Sequence, residues 1–288
     1  VAGYNPAPMH EDTELACDVS PWGAAGFVNA LTDVRNAGFA GIEAGIELVP
    51  LFEDRVHVLK EMLESEHLTL VTIRTALRTL SVGSAEEEGE RCLNVARFLH
   101  GMGCKLLVIV PPPAAPESAE EEWLLFTNLL AEAGRRAAEF GVRVLAAPAQ
   151  GSVVGTRSEL ERLTKAFPAK SLPLAVDAGF LANAGLPVAG FFKKYKVRLA
   201  HLYLSDMVLK PAKPASGKGA KGAKAKSKAK TASAPKVGIN VARFLDAATA
   251  ARYQGWVTVR LKATEVHKDA AGSAERAYRL AAEALDLV

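Results

Sequence analysis

Eight times along this chain, a short apolar run of β-forming residues gives way to a stretch whose apolar side chains recur at about every 3.6 residues. The runs predict strands over residues 15–19, 41–45, 68–75, 105–110, 142–147, 172–177, 198–204 and 256–261. The periodic stretches predict helices over 27–36, 53–66, 87–102, 119–140, 158–167, 187–195, 240–253 and 273–285, with Gly38 and Gly141 as stop signals. Strands separated by helices cannot pair as hairpins. They need crossover connections, which produce a parallel sheet covered by helices. Eight such units in 288 residues predict a closed (β/α)8 TIM barrel, taken as one domain over 1–288. The rival is an open doubly wound sheet. No Gly-x-Gly-x-x-Gly follows the first strand, which argues against a dinucleotide-binding version of it.

Charge separates one segment from the rest. The formal net charge is +3, from 35 basic and 32 acidic side chains, yet nine lysines and no acids lie between Met207 and Lys236. Without those nine the chain holds 26 basic against 32 acidic residues and is mildly acidic. The segment 207–237 is almost entirely Lys, Ala, Gly, Ser, Pro and Thr, with almost nothing to bury, so it reads as a disordered basic insertion after the seventh strand. Its functional reading is a tether to nucleic acid or another anionic surface; its plainer reading is a solvated loop.

No run of about 18 uncharged apolar residues is present, so no membrane span is expected. No secretory signal pattern precedes the first predicted strand. Cys17, Cys92 and Cys104 are too scattered for a disulfide framework or a zinc cluster, and reduced core thiols in a cytoplasmic protein are expected. No Gly-x-Ser-x-Gly elbow or Walker-type loop occurs.

Six segments in register resemble one family. NAGFAGIE at 36–43 resembles its passage into strand two, and GCKLLVIVP at 103–111 its strand four. AEFGVRVL at 138–145 is similar to its approach to strand five, and LAVDAG at 174–179 to its strand six. AHLYLSD at 200–206 and YQGWVTVR at 253–260 are similar to its strands seven and eight. The family is the sugar phosphate isomerase/epimerase superfamily of xylose isomerase-like barrels. The resemblance implies a divalent metal (Mn, Co, Mg or Zn) at the top of the barrel. Its ligands would be a Glu ending strand five, an Asp ending strand six, a His on strand seven and a Glu ending strand eight.

At those positions this chain has Ala147, Asp177, Tyr203 and Arg260. Ala149 and Phe180 stand where two further family histidines often follow. One ligand of four remains, so no bound metal is expected. A relocated site would have to use Asp177, Glu43 and His201, and the same three are the candidate acid/base residues of a metal-independent reaction. The expectation for Arg260 is a salt bridge to Asp177, with the Tyr203 hydroxyl in the same network. Arg74, Lys262, Gln150 and Asp18 complete the expected ligand-binding mouth, with Arg78, Ser152 and Ser205 nearby. A cluster of Arg74, Arg260 and Lys262 would suit phosphate or carboxylate, which arginine binds bidentately. The leading expectation is therefore a barrel with a degenerate metal site that binds a small anionic or sugar-like ligand without turnover. The alternatives are a metal-independent or relocated-metal isomerase or epimerase, and a nucleic-acid-associated protein using the lysine-rich loop.

Overall fold

A computed structural model describes residues 13–114, 119–205, 240–285 and 287. The lysine-rich segment 207–237 lies outside the described residues. Eight parallel strands close into a barrel in sequence order, β1 pairing with β8. They are β1 (Thr13–Asp18), β2 (Gly41–Gly45), β3 (Thr69–Ala76), β4 (Leu106–Val110), β5 (Arg143–Ala146), β6 (Leu174–Asp177), β7 (Leu199–Leu204) and β8 (Gly255–Val259). Every strand falls where the apolar runs predict it, within a residue or two at each end. The helices are α1 (Gly23–Ala37), α2 (Val49–Phe52), α3 (Val56–Ser65), α4 (Val82–Met102), α5 (Ala119–Ala138) and α6 (Arg157–Ala166). They continue with α7 (Ala178–Asn183), α8 (Val188–Tyr195), α9 (Val241–Ala250), α10 (Ala263–Val266) and α11 (Ala270–Ala284).

The alternation of side chains along each strand separates two apolar cores. Ile42, Ile109, Val176, Leu202, Leu204, Val257 and Val259 pack outward against the helices in the larger one. Val108, Val110, Leu145, Ala147, Ala175 and Tyr203 form a smaller one inside the barrel. Other inward positions carry polar groups, among them Glu43, Thr72, His201 and Thr258, all fully buried.

Two glycines have steric jobs. Gly38 ends α1 at φ 109° and its amide bonds back to Val34 and Arg35. A Cβ there would also stand 2.8 Å from the Tyr278 ring. At Gly41 a Cβ would meet Val71 at 2.7 Å and Trp256 at 2.8 Å, so glycine lets those side chains close on β2. Beside it the β2–β3 register shifts between Ile42 and Glu43, which brings Glu43 opposite Thr72 and Gly45 opposite Arg74.

Helix α7 was not predicted. It is only six residues long and starts directly at the end of β6, where Asp177 caps it by accepting from the Gly179 amide at 2.8 Å. The predicted helix over 53–66 is α3, which starts three residues later than predicted, and the short α2 precedes it. Among the described residues no helix is long and apolar enough to cross a membrane. All three cysteines are free and buried.

Candidate ligand pocket at the barrel mouth

The carboxyl ends of β3, β5, β6, β7 and β8 converge on a pocket of about 160 Å³. Arg74, Gln150, Asp177, Asn183, Ser205 and Arg260 give it polar walls, and Ala147, Ala149, Phe180 and Tyr203 its apolar ones.

Arg260, just past the end of β8, is held by carboxylates from two sides. Its Nε donates to Asp18 Oδ2 at 3.2 Å, and its Nη1 lies 3.9 Å from Asp177 Oδ2. The guanidinium carbon also sits 5.9 Å from the Tyr203 ring centroid. Burial pulls the Arg260 pKa down, but Asp18, Glu43 and Asp177 together outweigh it and hold the group above its ordinary range. The expected Asp177 bridge is thus present only as the longer of two contacts. Closure of the barrel makes β1 the neighbour of β8, so Asp18 is the nearer acid. Asp177 is already engaged by the α7 cap and by the Ser205 hydroxyl, which donates to it at 2.7 Å. Burial raises the Asp177 pKa against the lowering effect of Ser205, Arg260 and the Gly179 amide.

The Tyr203 hydroxyl does not join Arg260. It donates to Glu43 Oε2 at 2.5 Å inside the barrel. Glu43 is fully buried, and its pKa is pushed up to about 8 by that burial and by Asp18, against the opposing pull of Arg74, Arg260 and the Tyr203 hydrogen bond. The carboxyl is therefore largely protonated at neutral pH. His201 shares the layer. Its Nε2 lies 2.8 Å from Thr258 Oγ1 and 4.0 Å from Glu43 Oε2, and burial lowers its pKa to about 3. Neutral imidazole next to a protonated carboxyl is a contact between dipoles, not an ion pair. Glu43 Oε1 and His201 Nδ1 have no hydrogen-bond partner among the described residues.

Asp177, Glu43 and His201 do not assemble as one relocated site. Glu43 and His201 are neighbours inside the barrel, whereas Asp177 faces Ser205 and Arg260 at the mouth. Among the described residues no three His, Cys, Asp or Glu side chains are grouped to hold a metal ion. With a permanently charged guanidinium at the strand-eight position, this set of side chains does not suit a divalent cation.

Lys262 does not reach the mouth pocket expected to include it. Strand β8 ends at Val259, and Lys262 is an exposed residue at the start of α10, outside the pocket lining. Arg78 is likewise outside it, bonded through Nε to the buried Glu88 at 2.8 Å. Ser152 donates to the Ala149 carbonyl at 2.7 Å and shapes the loop after β5. Asn183 was missed because α7, which carries it to the pocket rim, was not predicted.

A closed barrel with a polar pocket at the carboxyl ends of its strands is the architecture of a (β/α)8 enzyme-type scaffold. Residues 31–286 match the xylose isomerase-like TIM barrel family, and the chain belongs to it. The inosose dehydratase of Clostridium botulinum (strain Alaska E43 / Type E3) is 27% identical over 194 residues, which is 63% of this chain and 63% of that protein. The aligned part thus spans less than two thirds of that relative. Fold likeness extends further. A D-psicose 3-epimerase solved with D-tagatose, from Clostridium cellulolyticum H10, superposes with a TM-score of 0.70 at 14% identity, covering 95% of this chain and 97% of that one. IOLI protein, solved with a bound zinc atom, gives 0.68 at 17% identity over 94% and 96%.

Proposed function

We propose that this chain binds a small sugar-like ligand in the mouth pocket, and that it does so without the family's divalent ion. The observation that carries this reading is Arg260, fixed between Asp18 and Asp177 at the strand-eight position. It supplies as a permanent part of the fold the positive charge that a cation would otherwise bring. The pocket has space for on the order of ten water molecules, a size that suits a sugar or a sugar acid better than a nucleotide. Gln150, Asn183, Ser205 and Asp177 offer donors and acceptors to hydroxyl groups, and Phe180 offers an apolar face. Alanine at 147 and arginine at 260 remove two carboxylates on which metal-assisted isomerisation would depend, so we read the site as one for binding. Thermal-shift and calorimetric titrations with sugars and sugar acids, each repeated with EDTA and with Mn²⁺, test this. Binding that the chelator leaves unchanged is expected. Binding that appears only with Mn²⁺ would overturn the reading.

A second reading, metal-independent proton transfer, has one observation in its favour. Tyr203 borders the pocket, and its hydroxyl passes directly to a carboxyl whose pKa is near 8. Exchange of a ligand C–H with solvent deuterium, abolished in Glu43→Gln, would favour this reading over binding alone.

A further inference from the structure

Resting on the reading of the mouth as a ligand pocket, we propose that Arg74 anchors an oxyanion of that ligand. The pocket then takes a hydroxylated carboxylate or phosphate monoester in preference to a neutral sugar.

Arg74 stands apart from the other arginines near this end of the barrel. Arg260 is shared by Asp18 and Asp177, and Arg78 and Arg91 both reach Glu88. Arg74 is half-buried and lines the pocket, yet among the described residues it makes no hydrogen bond and no ion pair. Its strand neighbours give the reason. Gly45 on β2 and Val108 on β4 pair with it in register and carry no acceptor, and the Glu47 carboxylate folded over Gly45 makes no ion pair with it.

The carboxyl whose charge couples to Arg74 is Glu43, and it does not neutralise the arginine. Glu43 takes its hydrogen bond from Tyr203 and keeps its proton at neutral pH. Asp18 and Asp177 are occupied by Arg260. Alanine at 147 leaves no acid at the end of β5. A guanidinium partly removed from water, with its fork of donors unused, is costly until an acceptor arrives. A carboxylate or phosphate satisfies it with two parallel hydrogen bonds. The hydroxyl groups of such a ligand would fall among Gln150, Asn183, Ser205 and Asp177.

The test is calorimetry of the full chain at pH 7 with D-gluconate, D-ribose 5-phosphate and D-tagatose, on the wild type, Arg74→Gln and Arg74→Lys. At least one anionic probe is expected to bind tenfold or more tightly than D-tagatose, and which one does so distinguishes carboxylate from phosphate. Arg74→Gln should weaken the anion by about ten- to a hundredfold, the usual cost of losing a hydrogen bond to a charged group, and weaken D-tagatose by clearly less. Arg74→Lys should keep part of the affinity. Equal wild-type binding of neutral and anionic probes, or wild-type anion affinity in Arg74→Gln, would overturn the anchor and leave the pocket reading standing. Failure of all three probes to bind the wild type would remove both. If Arg74→Gln does not fold by circular dichroism, the wild-type preference and Arg74→Lys still decide.

Discussion

Arg260 and Asp18, 242 residues apart in sequence, meet at 3.2 Å because β8 closes against β1. The Asp18 side chain is only 6% exposed and that of Arg260 is 28% exposed. Removing the arginine leaves two largely buried carboxylates without their cation. Arg260→Met is expected to cost about 2–3 kcal/mol in urea unfolding, less than a fully buried pair because the guanidinium is partly solvated. Adding Asp18→Asn should recover part of that loss. An unchanged urea midpoint in Arg260→Met would contradict the pairing.

Glu43 gives the fold a pH dependence of definite sign. Its pKa rises from 4.5 to about 8 on folding. The stabilisation from its bound proton is complete below the unfolded value and is lost as pH rises through about 8. His201, with its pKa lowered from 6.5 to about 3, acts oppositely and only below pH 6.5. Between pH 6.5 and 9 the wild type should therefore lose about 2 kcal/mol of stability relative to Glu43→Gln, most of it before the pH passes the folded value of about 8. Melting temperatures of the two proteins over this range check it; parallel curves would contradict a raised Glu43.

Arg198 ties α6 to the approach to β6. Its guanidinium donates to the carbonyls of Thr164, Phe167, Pro168 and Leu172 at 2.6–3.3 Å. These include carbonyls at the end of α6 that have no partner within the helix. Arg198→Met should destabilise the protein by about 2 kcal/mol, measured as a shift of the urea midpoint with unchanged slope.

Gly38→Ala combines a left-handed φ with a clash against Tyr278. A loss of about 1–3 kcal/mol is expected. Tyr278→Ala in the Gly38→Ala background should relieve the steric part while leaving the backbone strain.

The barrel was legible because periodicity is a local property that every strand and helix repeats. The register of apolar runs such as 105–110 and 198–204 fixed which side chains face inward, and Glu43, Tyr203 and His201 do lie inside the barrel. Partner choice was less legible. Arg260 was expected to take Asp177, but the closing β1–β8 pair puts Asp18 nearer, and a helix cap already engages Asp177. Lys262 has the right parity for the mouth, but parity means nothing once β8 has ended at Val259. Asn183 was out of reach because a six-residue helix has too few turns to show a period.

On the proposed reading, Arg260 stands in place of a metal. The most direct measurement is elemental analysis of the full chain after incubation with manganese, cobalt and zinc and subsequent desalting. Substoichiometric metal is expected for all three ions, with an unchanged melting temperature. One ion per chain, retained through desalting and raising the melting temperature, would contradict it.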